Sequence, residues 1–251
     1  MAANFRRKMP FTERLFRRFM LKYYGRYLIT DLQLAAKAES VAYIRQHMND
    51  ALIFDDRWGL MEYAVKQRRS EGLLLEFGVE KGASVTAVAN WTGLPVHGFD
   101  SFEGLPENWS GTFERKGKFG QGGRLPEVPA NVTLHKGWFD QTLPAFLNAH
   151  PDEPVAFLHV DCDIYSSTVT IFRETGPRLK PGSVIVFDEY FNYPNWQRHE
   201  FRAFQEFIRD SGFSYTYLGF AQKNGHVAVK LGEKSEDAKR LAVQKLNASG
   251  A

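Results

Sequence analysis

Two acidic motifs stand where two apolar runs of this chain end. His159-Val160-Asp161-Cys162-Asp163 closes the run that begins at Val155, and Val184-Ile185-Val186-Phe187-Asp188-Glu189 closes the next. A strand buried on both faces offers a carboxylate no water, so acids at its end are costly unless something binds them. Oxygen-only ligand sets suit hard divalent cations such as magnesium, calcium or manganese. Carboxylates on two neighbouring strand ends therefore point to metal-assisted chemistry.

A second constellation lies upstream. Glu76-Phe77-Gly78-Val79-Glu80-Lys81-Gly82 leads out of the short apolar run Leu73–Phe77. Its glycines permit a tight turn and close approach of a ligand to the backbone. The next apolar run, Val96–Phe99, ends in Asp100, an acid about twenty residues past the glycines and suited to ribose hydroxyls. Together these imply a nucleoside-containing cofactor. The spacing is not that of a dinucleotide fingerprint, and Glu76 at the turn would repel a pyrophosphate. A sulfonium nucleoside carries no phosphate and a positive charge at sulfur, so S-adenosylmethionine fits best.

The elements that must position these residues alternate. Apolar spacing predicts helices over Leu32–Met48 and Trp58–Arg69, with Asp55 as the cap of the second. Strands follow at Leu73–Phe77, Val96–Asp100, Val132–Leu134, Val155–Val160 and Val184–Phe187, separated by helices over Ser84–Trp91, Leu143–Asn148 and Thr168–Leu179. A helix over Glu200–Asp210 precedes two strands, Tyr215–Phe220 and His226–Leu231, joined through Asn224-Gly225. This order predicts an α/β fold with a doubly wound, mostly parallel sheet of seven strands and a terminal antiparallel hairpin. Residues 101–130 and 190–200 read as long polar loops, the second rich in aromatic residues.

With 251 residues, 43% hydrophobic and 24% charged, the chain suits one sizeable globular core. A net charge of +3 is too small to imply a nucleic-acid partner. No stretch approaches the ~20 apolar residues of a membrane span. The lone cysteine, Cys162, excludes an internal disulfide framework and fits a reducing, cytoplasmic setting. Residues 6–26 are basic and interleaved with apolar side chains, as in an amphipathic helix. They read as part of a lid or homo-oligomer contact over residues 1–56, ahead of a catalytic domain over 57–232 and a loosely anchored tail over 233–251.

Five motifs, in one order over residues 70–210, resemble the class I S-adenosylmethionine-dependent methyltransferases of the macrocin O-methyltransferase type. They are Leu75-Glu76-Phe77-Gly78-Val79 with Gly82; Gly98-Phe99-Asp100-Ser101-Phe102-Glu103-Gly104-Leu105-Pro106; Gly137-Trp138-Phe139-Asp140-Gln141-Thr142-Leu143-Pro144; Asp161-Cys162-Asp163-Ile164-Tyr165-Ser166-Ser167-Thr168; and Asp188-Glu189-Tyr190. The resemblance implies magnesium- or manganese-dependent methylation of a hydroxyl on a glycosylated or phenolic small molecule. It implies that Glu76, Gly78 and Ser84 line the methionine end, that Asp100 and Ser101 hold the ribose, and that Gly137 and Trp138 frame the adenine. Asp161, at the edge of the metal site, also borders the cofactor. The implied metal set is Asp161, Asp188 and Glu189, the last replacing the family's usual aspartate. A catechol-type relative would carry a lysine where this chain has Ile164.

Methyl transfer is an in-line displacement that depends on positioning. A sugar hydroxyl is a poor nucleophile, so a cation to polarise it and a carboxylate to take its proton are both required. Asp161 is the candidate base and His199 the alternative, while His159, inside an apolar run, reads as a hydrogen-bonded core histidine. No His/Cys set has zinc spacing and no nucleophile elbow is present. Two other classes compete: a nucleoside-binding scaffold that kept the fold, and an NAD(P)-linked oxidoreductase.

Overall fold

The computed structural model describes residues 11–23, 25 and 27–235. Residues 1–10 of the basic start and 236–251 of the tail lie outside them. Two helices, α1 (Phe11–Tyr23) and α2 (Leu28–His47), come first. The repeating part then runs β1 (Leu52–Phe54), α3 (Arg57–Lys66), β2 (Leu73–Phe77), α4 (Ala83–Thr92), β3 (Val96–Asp100), β4 (Val132–Lys136), α5 (Phe139–Ala149), β5 (Val155–Val160), α6 (Tyr165–Thr175), β6 (Leu179–Phe187), α7 (Glu200–Ser211), β7 (Phe213–Ala221) and β8 (Val227–Lys234).

One eight-stranded sheet results, in the order β1-β7-β8-β6-β5-β2-β3-β4. Among the described strands only β8 runs antiparallel to its neighbours. The strand beyond the seven expected is β1, three residues that pair with β7 at the sheet's edge. It is too short for alternation to reveal it. Asp56 rather than Asp55 caps α3, accepting from Gly59 N at 3.0 Å. Helix α6 ends at Thr175, before the expected Leu179, and Lys180-Pro181-Gly182 already belong to β6.

Every residue of β2 and β5 is buried, as expected of parallel strands covered on both faces. Alternate residues feed two cores. Leu75, Phe77, Leu158, Val160, Ile185 and Phe187 pack with α5, α6 and α7. Leu74, Phe157, Val184 and Val186 pack on the opposite face with α3 and α4. The chain winds outward from β2 to β4, then returns to place β5 on the other side of β2. That reversal opens a crevice at the strands' carboxyl ends, where open α/β sheets bind ligands. Among the described residues no helix is long and apolar enough to cross a membrane.

Candidate active site

The carboxyl ends of β2, β5 and β6 are level. Phe77 pairs with Val160 and Val160 with Phe187. Pairing continues one residue further, with Asp161 N donating to Phe77 O at 2.9 Å and Asp188 N to Val160 O at 3.0 Å. Gly78, Asp161 and Asp188 thus leave the sheet side by side. Gly78 has φ +94°, and a Cβ there would stand 1.7 Å from the Asp161 carbonyl oxygen. Only glycine lets these two strand ends meet.

A cavity of about 610 Å³ opens at this edge, within the usual range for small-ligand sites. Of the expected cofactor residues, Gly78, Ser84, Asp100, Ser101, Trp138 and Asp161 line it; Glu76 and Gly137 do not. Asp100 braces the glycine turn. Its Oδ2 accepts from Val79 N and Glu80 N, both at 2.8 Å, and its Oδ1 from Phe102 N at 2.6 Å. A carboxylate oxygen can accept twice, so Oδ1 keeps capacity for a ligand hydroxyl. Gly137 shapes the turn into α5, donating from its N to Asp100 O at 2.9 Å, and leaves Trp138 on the cavity.

Glu76 is a buried brace rather than a lining residue. It lies within β2, so strand parity turns its side chain inward. Oε1 accepts from Ser84 Oγ at 2.8 Å, and Oε2 stands 2.9 Å from His159 Nδ1. His199 also lies off the cavity. Its Nε2 is 3.0 Å from Ser110 O and 3.2 Å from Ser110 Oγ, so it ties the loop after β3 to the start of α7. Burial lowers its pKa.

The opposite wall is acidic. Carboxylate oxygens of Asp161, Asp163 and Glu189 lie within 4.8 Å of one another, as do a ring nitrogen of His159 and oxygens of Asp161 and Asp188. The expected metal set is therefore divided between two groups that share Asp161. Burial, reinforced by neighbouring carboxylates, pushes Asp161 and Glu189 well above the carboxylate range. Burial and the Asp188 charge push Asp163 up to about 7. Asp188 goes the other way. Burial raises it, but His226, with help from His159 and Arg57, outweighs that and holds it at about 2. His226 Nδ1 is 2.8 Å from Asp188 Oδ1, close but not aligned as a hydrogen bond. Arg57 Nη1 reaches the same oxygen at 3.5 Å.

Glu189 Oε2 is buried with no hydrogen-bond partner. Half-buried acids that repel one another, one with an orphaned oxygen, fit a hard divalent cation. Glu200 holds this wall together. Fully buried at the start of α7, it accepts from Cys162 N (3.4 Å) and Asp163 N (3.2 Å) on Oε1 and from Glu189 N (3.2 Å) on Oε2. Asp163, at φ +67°, adopts the left-handed turn that aspartate tolerates. Sequence reasoning missed Glu200 and His226. An acid in a first helical turn reads as an ordinary dipole partner, and only its burial distinguishes it.

The aromatic loop after Glu189 belongs to the core. Tyr190, Phe191 and Trp196 are buried, and Tyr43 of α2 packs edge-on to Tyr190 and Trp196. Ser40 Oγ of α2 accepts from Asn192 N at 2.9 Å. The N-terminal helix thereby steadies the loop that follows the acidic pair.

Residues 75–190 match the family Methyltransf_24, described as a methyltransferase domain. A tetracenomycin relative from Streptomyces olivaceus, "8-demethyl-8-(2,3-dimethoxy-alpha-L-rhamnosyl)-tetracenomycin-C 4'-O-methyltransferase", is 30% identical over 156 residues, covering 52% of this chain and 58% of that protein. The mycinamicin III 3''-O-methyltransferase of Micromonospora griseorubida is 36% identical over 59 residues, covering 24% of this chain and 22% of that one. The chain thus matches less than two thirds of either relative's length. Among solved structures, the calicheamicin methyltransferase CalS11 superposes with a TM-score of 0.56 at 19% identity, covering 88% of this chain and 91% of that one. The O-methyltransferase NovP gives 0.54 at 18% identity, covering 70% and 80%. The described fold matches the class I methyltransferase fold of these structures, with its antiparallel hairpin.

Proposed function

We propose that this chain is an O-methyltransferase of the macrocin type, transferring a methyl group from S-adenosylmethionine to a sugar hydroxyl of a glycosylated small molecule with the help of magnesium or manganese. The observation that carries the reading is that one cavity joins the braced glycine turn to the acidic wall, with Asp161 facing both. Support for a sugar acceptor comes from the tetracenomycin relative, whose name specifies a rhamnosyl group and O-methylation.

When bound, S-adenosylmethionine supplies an electrophilic methyl group, and a divalent cation lowers the pKa of the acceptor hydroxyl. Asp161, Asp163 and Glu189 would hold the cation, with Asp188 beside them. Asp100 and Ser101 take the ribose, Gly78 lets the ligand approach the backbone, and Trp138 offers its ring to the adenine. Asp161 takes the hydroxyl proton. Most of the rate gain then comes from holding acceptor and methyl donor in line.

The test is calorimetric titration with S-adenosylmethionine and its demethylated product, with and without divalent ion. Mass spectrometry of rhamnosylated and phenolic acceptors then follows. Micromolar nucleoside binding and addition of a single methyl to the sugar are expected. Failure to bind either nucleoside overturns the proposal in favour of a scaffold, and methylation of the phenolic acceptors alone overturns the sugar assignment.

A further inference from the structure

We infer that His159 is a metal ligand, and that its Nε2, with carboxylate oxygens of Asp161 and Asp188, forms a nitrogen-containing position for a divalent transition-metal ion. The inference rests on reading the acidic edge as a cation site and goes further, to the choice of ion. His159 is fully buried in β5. Its Nδ1 lies 2.9 Å from Glu76 Oε2, and the other oxygen of Glu76 accepts from Ser84 Oγ at 2.8 Å. With Glu76 as acceptor, Nδ1 is the donor, and a cation at Nε2 would take the place of any proton on that nitrogen. That atom is buried and has no hydrogen-bond partner.

Strand parity aims it. Glu76 pairs with His159 and His159 with Val186, while Asp161 and Asp188 follow two residues on, on the same face. The imidazole therefore lies one layer beneath the two carboxylates. Its ring nitrogen and their oxygens fall within 4.8 Å of one another. Ligands each about 2.0–2.2 Å from an ion stand at most about 4.4 Å apart, so small side-chain movements close the set.

An ordinary core histidine has both nitrogens satisfied. Here one is held by a carboxylate and the other is open beside two acids, the arrangement of a ligating histidine whose second nitrogen is anchored. Glu76 is then the anchor of this ligand. Oxygen-only sets leave magnesium, calcium and manganese unresolved, whereas an imidazole shifts preference toward iron, nickel or zinc, with manganese usable as a spectroscopic probe of the same position. This position shares Asp161 with the oxygen-only group of Asp161, Asp163 and Glu189 and differs from it in its other two ligands.

The test loads the full chain with Mn(II) and reads nitrogen coupling by pulsed electron paramagnetic resonance. A directly bound imidazole nitrogen is expected in the wild type and lost in His159→Gln, with manganese affinity at least about tenfold lower. Glu76→Gln keeps the coupling but binds manganese about tenfold more weakly. Calorimetry with demethylated S-adenosylmethionine on the same samples reports the nucleoside site separately, so loss of that binding bears on the methyltransferase reading alone. Bound manganese without nitrogen coupling, or no manganese bound at millimolar concentration, overturns the inference. Should His159→Gln fail to fold, the wild-type spectrum and Glu76→Gln decide.

Discussion

The two walls of the cavity use the same residue types to opposite ends. On the glycine-turn side, Asp100 accepts three backbone hydrogen bonds and both oxygens of Glu76 have partners. On the far side, Asp161, Asp163 and Glu189 stand against one another, pushed up by burial, and Glu189 Oε2 has no partner. A satisfied buried carboxylate is a finished piece of structure. An unsatisfied group of them is a site, because burying mutually repelling acids costs free energy that only a proton or a cation offsets.

The largest disruption should come from the residue where the walls meet. Gly78→Ala places a Cβ 1.7 Å from the Asp161 carbonyl oxygen at φ +94°. A loss of about 4 kcal/mol or more of stability, or failure to fold, is expected; a denaturation midpoint near wild type would show that the two strand ends can separate. Next, Asp161→Asn removes the carboxylate shared by both acidic groups. More than about a hundredfold loss of turnover is expected, beyond the 10–100-fold typical of residues behind a metal's ligands, with nucleoside binding retained by calorimetry. Near-normal turnover would remove Asp161 from the chemistry.

Much of this contrast is legible in the sequence. Near-continuous apolar runs mark buried parallel strands, so the acids after Phe99, Val160 and Phe187 fall at the sheet edge without further information. The parity of Glu76 is harder to read. The glycine turn draws it toward the ligand, yet it is the fourth residue of β2 and faces α4. Glu200 and His226 are illegible for another reason: each meets the acidic ends only through tertiary contact, and neither has a local pattern. The loop after β3 reads as a long polar loop, but Phe102, Leu105 and Trp109 are buried and His199 contacts Ser110.

Glu200→Gln sharpens the comparison, because it converts a satisfied carboxylate that supports the unsatisfied ones. The amide can still accept from Cys162 and Asp163, but its nitrogen then faces Glu189 N, donor against donor. Metal affinity should fall about 10–100-fold with cofactor affinity unchanged; equal losses in both would mean that the two walls move together. Asp100→Asn is the mirror experiment. Losing one acceptor oxygen should weaken nucleoside binding about tenfold, the cost of about one charged hydrogen bond, and leave metal affinity alone.

The smallest effect is a difference in pH dependence between acids of the same wall. Asp163 is pushed up to about 7 in the fold, against about 3.9 for a free aspartate. Between those values the folded state binds more protons than the unfolded one, so stability falls as pH rises from about 4 to about 7. Asp188, held at about 2, contributes stability that is present above about 4 and lost as pH falls toward 2. A cation competes with the proton on Asp163 but gains little from Asp188, which has already lost its proton. The Tm of metal-free protein should therefore be lower at pH about 7.5 than at about 5.5, and added manganese should raise Tm more at the higher pH. A manganese effect that is the same at both pH values would mean that the cation does not displace the Asp163 proton. The unsatisfied wall would then need another explanation for its charge.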